Sequence, residues 1–261
     1  MITNRCTVIL SLAFIGAATN WISTSRAETI HSASPTVVLH KIVEKLNGSK
    51  TIDATFISSV PHSPLVHLLF RRPNLLRVSA KYPSGLTVIA ICTPSHVIVT
   101  NSKYPRQYME FKVAYGSAKQ ISTVVGIAPM FMLSAIDPES NLGIKLNSSD
   151  TIIEPLRDDP SLMELVSTKV VNRSPLSAIL QKVIYQPGTF RIEGLSMVIK
   201  ADGTNSGWRE RVVNLALNAP IPVSVFHSAL PEHAVRVSKL PFTFVVLPKI
   251  LDSSLLGSTT P

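Results

Sequence analysis

Val66-His67-Leu68-Leu69-Phe70-Arg71-Arg72-Pro73-Asn74-Leu75-Leu76-Arg77-Val78-Ser79-Ala80-Lys81-Tyr82 is the stretch whose reading decides the fold. Side chains alternate between the two faces of a strand, so a period of two puts Leu68, Phe70 and Arg72 on one side of the first half. Beyond the break, Leu76, Val78 and Ala80 alternate in the same way with Arg77, Ser79 and Lys81. Proline lacks the N–H that a central ladder needs, which makes Pro73-Asn74 the turn between two strands. The stretch is therefore a hairpin with one apolar face. Arg72 falls on that face, and a guanidinium among core residues needs hydrogen-bond partners.

The flanks extend the hairpin into a meander. Strands are predicted near Thr51–Val60, Leu65–Arg72, Leu75–Tyr82, Leu86–Cys92, His96–Asn101 and Gln107–Val113, broken at Pro61, Pro64, Pro73-Asn74, Pro83-Ser84-Gly85, Thr93-Pro94-Ser95 and Tyr104-Pro105. Short strands joined by tight turns imply an antiparallel sheet. Leu86–Cys92 is apolar on both faces, so something must cover the side away from solvent. Ahead of the meander, Ser34-Pro35 is a helix start, and Val38, Leu39, Ile42, Val43 and Leu46 recur at helical spacing until Asn47-Gly48 stops the run.

After the meander, Ile121, Val124, Val125, Ala128, Phe131, Met132 and Ala135 follow helical spacing, interrupted by Gly126 and Pro129. This insert is expected to be two short helices or one kinked helix supplying the missing cover. Its methionines suit a movable lid over an adaptable pocket, and a plain core helix is the alternative. Leu162–Val171, Ser177–Tyr185, Phe190–Ala201 and Trp208–Leu217 continue the β pattern, with Asp202 to Gly207 as a turn. Residues 238–261 are expected to be an added edge strand within Leu240–Pro248 and a disordered tail from Asp252.

At 261 residues and 45% hydrophobic side chains, the chain can bury one sizeable core. Residues 1–27 have the layout of a signal peptide: Arg5, an apolar run from Thr7 to Thr19, then Ser25-Arg26-Ala27. A retained membrane anchor is the alternative, although the run is shorter than the roughly 20 residues a spanning helix needs. Removal of 1–27 takes away Arg5 and Arg26, so the net charge of +9 falls to +7, and Cys92 becomes the sole cysteine. A single thiol makes no internal disulfide and fits a packed core position. The basic excess is spread out and aromatics are 6%, which disfavours a nucleic-acid platform.

The helix before the sheet, the Phe70-Arg71-Arg72-Pro73-Asn74 strand end, the Tyr82-Pro83 turn and the methionine-bearing insert together resemble the LolA-like superfamily of periplasmic lipoprotein carriers. Asn218-Ala219-Pro220-Ile221-Pro222-Val223-Ser224-Val225-Phe226, followed by Pro231, resembles that family's closing segment. Cys92-Thr93-Pro94-Ser95 stands where the family usually has an Asp-Gly turn, and Pro231 stands alone where two prolines are typical. The chain is thus most similar to the family's uncharacterised predicted-periplasmic branch. The resemblance implies a mainly β fold with an α lid: an unclosed antiparallel β-barrel, or half-barrel, with an N-terminal helix and a helical insert covering a concave apolar face. It implies a domain over 28–237 and a ligand site of Leu68, Phe70, Arg72, Leu76, Val78, Met130 and Phe131. Arg72 would be the latch that fastens the lid in the empty carrier.

No enzyme signature is present: the seven histidines form no His-x-x-x-His pair, and no Gly-x-Ser-x-Gly elbow or phosphate-binding glycine loop occurs. Asp158-Asp159 sits in a polar turn rather than in a metal-ligand pattern. No catalytic residue, metal ligand or cofactor is expected. Two classes remain. One is a monomeric periplasmic carrier that holds an acyl chain of a lipid or lipoprotein and meets envelope membrane proteins but no nucleic acid. The other is an envelope sensor or interaction module on the same scaffold, its cavity filled by its own side chains.

Overall fold

The computed structural model describes residues 33–112, 130–143, 150–173, 176–201, 204–228, 230–238 and 240. Helix α1 (Pro35–Asn47) starts at the proline and buries Val38, Leu39, Ile42, Val43 and Leu46, the stripe that its spacing predicts. Six strands follow: β1 (Thr51–Ser58), β2 (Leu65–Arg71), β3 (Leu75–Lys81), β4 (Thr87–Cys92), β5 (His96–Asn101) and β6 (Gln107–Lys112). Helix α2 (Met130–Ile136) and a π-helical turn (Glu139–Gly143) lead to β7 (Thr151–Leu156), β8 (Asp159–Arg173), β9 (Leu176–Gln186), β10 (Arg191–Ala201) and β11 (Thr204–Leu217). A 3-10 turn (Val223–Phe226) and β12 (Val235–Arg236) close the described chain.

All twelve strands form one sheet in the order β12-β6-β5-β4-β3-β2-β1-β11-β10-β9-β8-β7. The two ends do not meet, and every pairing is antiparallel except β12 on β6. This is the mainly β half-barrel with a helical cover that the sequence implies. The second half joins the meander through β11 beside β1, where Ile52, Ala54 and Phe56 face Leu217, Leu215 and Val212.

The core lies on one face of the sheet. Ile52, Phe70, Leu76, Cys92 and Val97 form one row across the strands, and Ala54, Leu68, Val78, Ala90 and Val99 the next. Each of these ten side chains is at most 3% exposed. Burying a Val, Leu, Ile or Phe side chain contributes roughly 1.5–3 kcal/mol, so these rows supply much of the force that holds the meander flat against its cover. Helix α2 lies on that face, with the Phe131 ring 5.4 Å from that of Phe56.

Helix α2 of the insert lies on the core face, as expected, and the closing segment packs on the outer face of the meander: Phe226 is 1% exposed, and Arg77, paired across the ladder with Ile91, donates from Nη1 to Val225 O at 2.9 Å. The second half departs from expectation in two places. Strand β7 adds to the strands that the sequence predicts; it accommodates Pro155 because it is an edge strand with an irregularity at Pro155/Leu156. The turn after β10 is shorter than Asp202 to Gly207. Ala201 already pairs with Thr204, and Gly207 lies within β11 opposite Val198. A Cβ at Gly207 would clash with Met197 O, so glycine is needed there for close backbone approach rather than for a turn.

Strand β12, Val235–Arg236, lies beside β6, and the strand expected within Leu240–Pro248 falls, apart from Leu240, outside the described residues. The signal segment, the stretch Ile121–Pro129 of the insert and the tail from residue 241 lie outside the described residues.

Cys92 is 2% exposed, and burial pushes its thiol up to about 12. The thiolate is the reactive form, so a disulfide reagent at about pH 8 is expected to leave the folded protein's Cys92 unmodified and to titrate it once denatured. Rapid labelling of the native protein at Cys92 would show that β4 opens locally.

Candidate functional site

Arg72 immediately follows β2, on the core side as its period demands. Its guanidinium sits over the Phe70 ring at 5.2 Å and reaches backbone carbonyls at the ends of both helices. Nη2 donates to Leu46 O and Nε to Ser49 O, each at 3.0 Å, and Nη1 reaches Ile136 O at 3.5 Å. The last carbonyls of a helix lack intrahelical partners, so one planar fork satisfies three groups that water would otherwise have to reach. Burial lowers the Arg72 pKa and Asp137 opposes that shift; an arginine stays charged regardless. The bond to Ile136 is the longest of the three.

The other end of α2 is held by a residue that the sequence reading missed. Glu210 of β11 is 3% exposed, and its Oε1 and Oε2 accept the backbone N–H groups of Met130 and Phe131, each at 2.8 Å. These are orphan donors of a helix N-terminus, where a carboxylate is favoured by the helix dipole. Burial still outweighs both hydrogen bonds and pushes the Glu210 carboxyl up to about 7. Asn141 completes the fastening at the C-terminal end, where its Nδ2 donates to Leu133 O at 3.1 Å and Asp137 O at 2.8 Å. Helix α2 thus carries an acid at its start, a guanidinium at its end and apolar side chains between.

The sequence-derived site residues divide into two groups. Leu68, Phe70, Leu76, Val78 and Phe131 meet on the concave face and are 0%, 3%, 1%, 0% and 0% exposed; Met130 is half-buried at the start of α2. Leu68, Val78 and Phe131 are fully buried and the Phe131 ring lies against that of Phe56, so in this conformation α2 is closed down on the sheet.

Open space lies elsewhere. One cleft of about 740 Å³ is lined by Lys41, Glu44, Lys45, Arg191 and Leu215 among others. A second, of about 660 Å³, lies between the α1–β1 connection, the β2–β3 turn and residues 218–222; Arg71 and Arg72 are in its wall. Among the described residues, no cluster of His, Cys, Asp and Glu could hold a metal ion, and no helix is long and apolar enough to cross a membrane.

Fold and site together define a half-barrel whose helical cover is fastened by charge at both ends. No family model matches the chain, and no curated protein matches it. Among solved structures, the chain is similar to lipoprotein LppX of Mycobacterium tuberculosis (13% identity, TM-score 0.41, covering 73% of this chain and 100% of that one). It is also similar to LprF of Mycobacterium bovis (11% identity, TM-score 0.43, covering 77% and 97%). A DUF1329 family protein from Desulfovibrio piger shares 9% identity at a TM-score of 0.32, covering 76% and 100%.

Proposed function

We propose that the protein is a non-catalytic, monomeric periplasmic carrier that takes an acyl chain of a lipid or lipoprotein between α2 and the concave face, and that the closed state described above is the empty one. The observation that carries this reading is the fastening of α2 by Glu210 and Arg72. A permanent core helix is held well enough by apolar contact, and charged groups beneath it add desolvation cost. A helix that must lift gains from charged fasteners, because water solvates them in the open state and lowers the cost of opening. The uncovered rows of Leu68, Phe70, Leu76 and Val78 would then accept an acyl chain at roughly 0.8 kcal/mol per buried CH₂, giving reversible binding.

The tight packing at Leu68, Val78 and Phe131 favours a second reading, an interaction module with a permanently filled interior. Native mass spectrometry of protein purified from its own envelope separates the two, together with titration of a fluorescent fatty acid. The carrier is expected to show a co-purifying amphiphile or saturable binding that a competing lipid reverses. Absence of both would leave the interaction module.

A further inference from the structure

The cleft of about 660 Å³ carries cations on its walls and no carboxylate: its lining includes Lys50, Arg71 and Arg72 but neither Asp nor Glu. Among the described residues, none of the three forms an ion pair. The neighbouring cleft differs, because Glu44 lines it and its Arg191 lies 2.8 Å from Glu193. In the cation-lined cleft the backbone is fixed while the charged ends of Lys50 and Arg71 stay available, and Arg72 is already engaged at Nε, Nη1 and Nη2 with one N–H left on each terminal nitrogen. Lys50 N donates to Asn218 Oδ1 at 2.8 Å and Lys50 O accepts from Arg72 N at 2.9 Å, while the Lys50 side chain is left to solvent. Arg71 spends Nη1 on Ile221 O at 3.2 Å and keeps its other donors. Asn218 lines the same cleft and retains its amide NH₂.

We infer that this cleft binds a phosphate-type oxyanion, in the first place the anionic head group of the amphiphile whose acyl chain lies under α2. The inference rests on the carrier reading and adds the head-group class to it. Fixed guanidinium donors and an ammonium around one opening match a tetrahedral oxyanion, and Arg forks recognise phosphate oxygens through paired charge-assisted bonds. Arg72 links the cleft to the lid. An anion that draws on its Nη1 competes with Ile136 O, its longest contact, and so loosens the C-terminal end of α2. Asp137 also faces Arg72 and resists that pull by holding the guanidinium where it is.

The test uses the full chain and the variant Lys50→Gln/Arg71→Gln, which leaves Arg72 in place. Arg77→Gln is the control, removing an outer-face arginine outside the cleft. Dihexanoylphosphatidylglycerol, dihexanoylglycerol and inorganic phosphate are titrated by calorimetry, with melting curves to confirm folding. The double variant is expected to bind the phospholipid about tenfold more weakly than wild type and the uncharged lipid equally well, and Arg77→Gln to match wild type. A tenfold loss confined to inorganic phosphate, with neither lipid bound, supports the oxyanion site, names free phosphate as its source and removes the carrier reading. Equal affinity of wild type and double variant for both phosphate compounds overturns the site, and continued binding of the uncharged lipid would leave the carrier reading standing.

Discussion

Glu210→Gln is expected to remove a fall in stability that the wild-type protein shows as the pH rises from about 4.5 to about 7. Burial raises the Glu210 carboxyl from its ordinary 4.5 to about 7 in the folded protein. The folded state therefore holds a proton that the unfolded state has given up, and stability slopes downward with pH across that interval. Below the unfolded value both states are protonated, and above the folded value both are ionised, so the effect is confined to this window. A separation of about 2.5 units at 1.36 kcal/mol per unit corresponds to up to about 3 kcal/mol.

On the carrier reading the same linkage applies to the lid: lifting α2 would expose Glu210 to water, so its proton would be released on opening and higher pH would favour the open state. Urea unfolding of wild type and Glu210→Gln across this range gives the difference directly, because all histidines are common to both proteins and drop out. Parallel curves would show that Glu210 is solvated and that its hold on Met130 and Phe131 is not the buried contact described here. A wild type that gains stability with pH relative to the variant would mean that the two backbone N–H groups, not burial, dominate its ionisation.

Arg72 and Glu210 play matching parts, yet only one was legible in the sequence. Both sit on the apolar face of a strand, but the parity of β2 is unbroken from Val66 to Arg71, so counting in twos places Arg72 correctly. In β11 a register shift opposite Thr55/Phe56 resets the count: Val212 and Leu215 both face inward, while Val213 between them is 50% exposed. Counting back from Leu215 would put Arg211 inside and Glu210 outside. A bulge inserts one residue without any composition signal, so alternation alone could not find this fastener.

The meander was readable for the opposite reason, since each of its breaks carries proline, glycine or asparagine and each strand keeps one face apolar. How the second half attaches was not readable. The β1–β11 pairing joins segments more than 150 residues apart, and no local pattern specifies which strand of the meander is the partner. The concave residues Leu68, Phe70, Leu76 and Val78 follow from period two alone; that α2 closes on them follows from Phe131 against Phe56, a contact between remote segments.

Arg72→Leu is expected to keep the fold and to shift the lid toward open. Leucine fits an apolar face, Ser49 borders the cleft beside Arg72, where water can replace the lost donor, and the Leu46 carbonyl keeps the Ser49 N–H as a partner. A charged hydrogen bond is worth roughly 1.5–3 kcal/mol, but partial solvation of this half-buried group reduces the sum, so the expected global loss is about 2 kcal/mol. The larger change is local. With Ile136 O released, hydrogen exchange through Phe131–Ala135 should rise well above that of β1–β5, and a bound fluorescent fatty acid should leave faster.

Arg71→Leu is the comparison. It removes one bond to Ile221 O on the outer face, at a cost of about 1 kcal/mol, and should leave exchange in α2 unchanged. Arg72→Lys discriminates further, because one ammonium cannot fork between Leu46 and Ser49 and also reach Ile136; charge alone should therefore fail to restore protection of α2. Wild-type exchange and release in Arg72→Leu would make Arg72 an anchor of α1 and the β2–β3 turn alone, and would leave Glu210 and Asn141 to hold the lid without it.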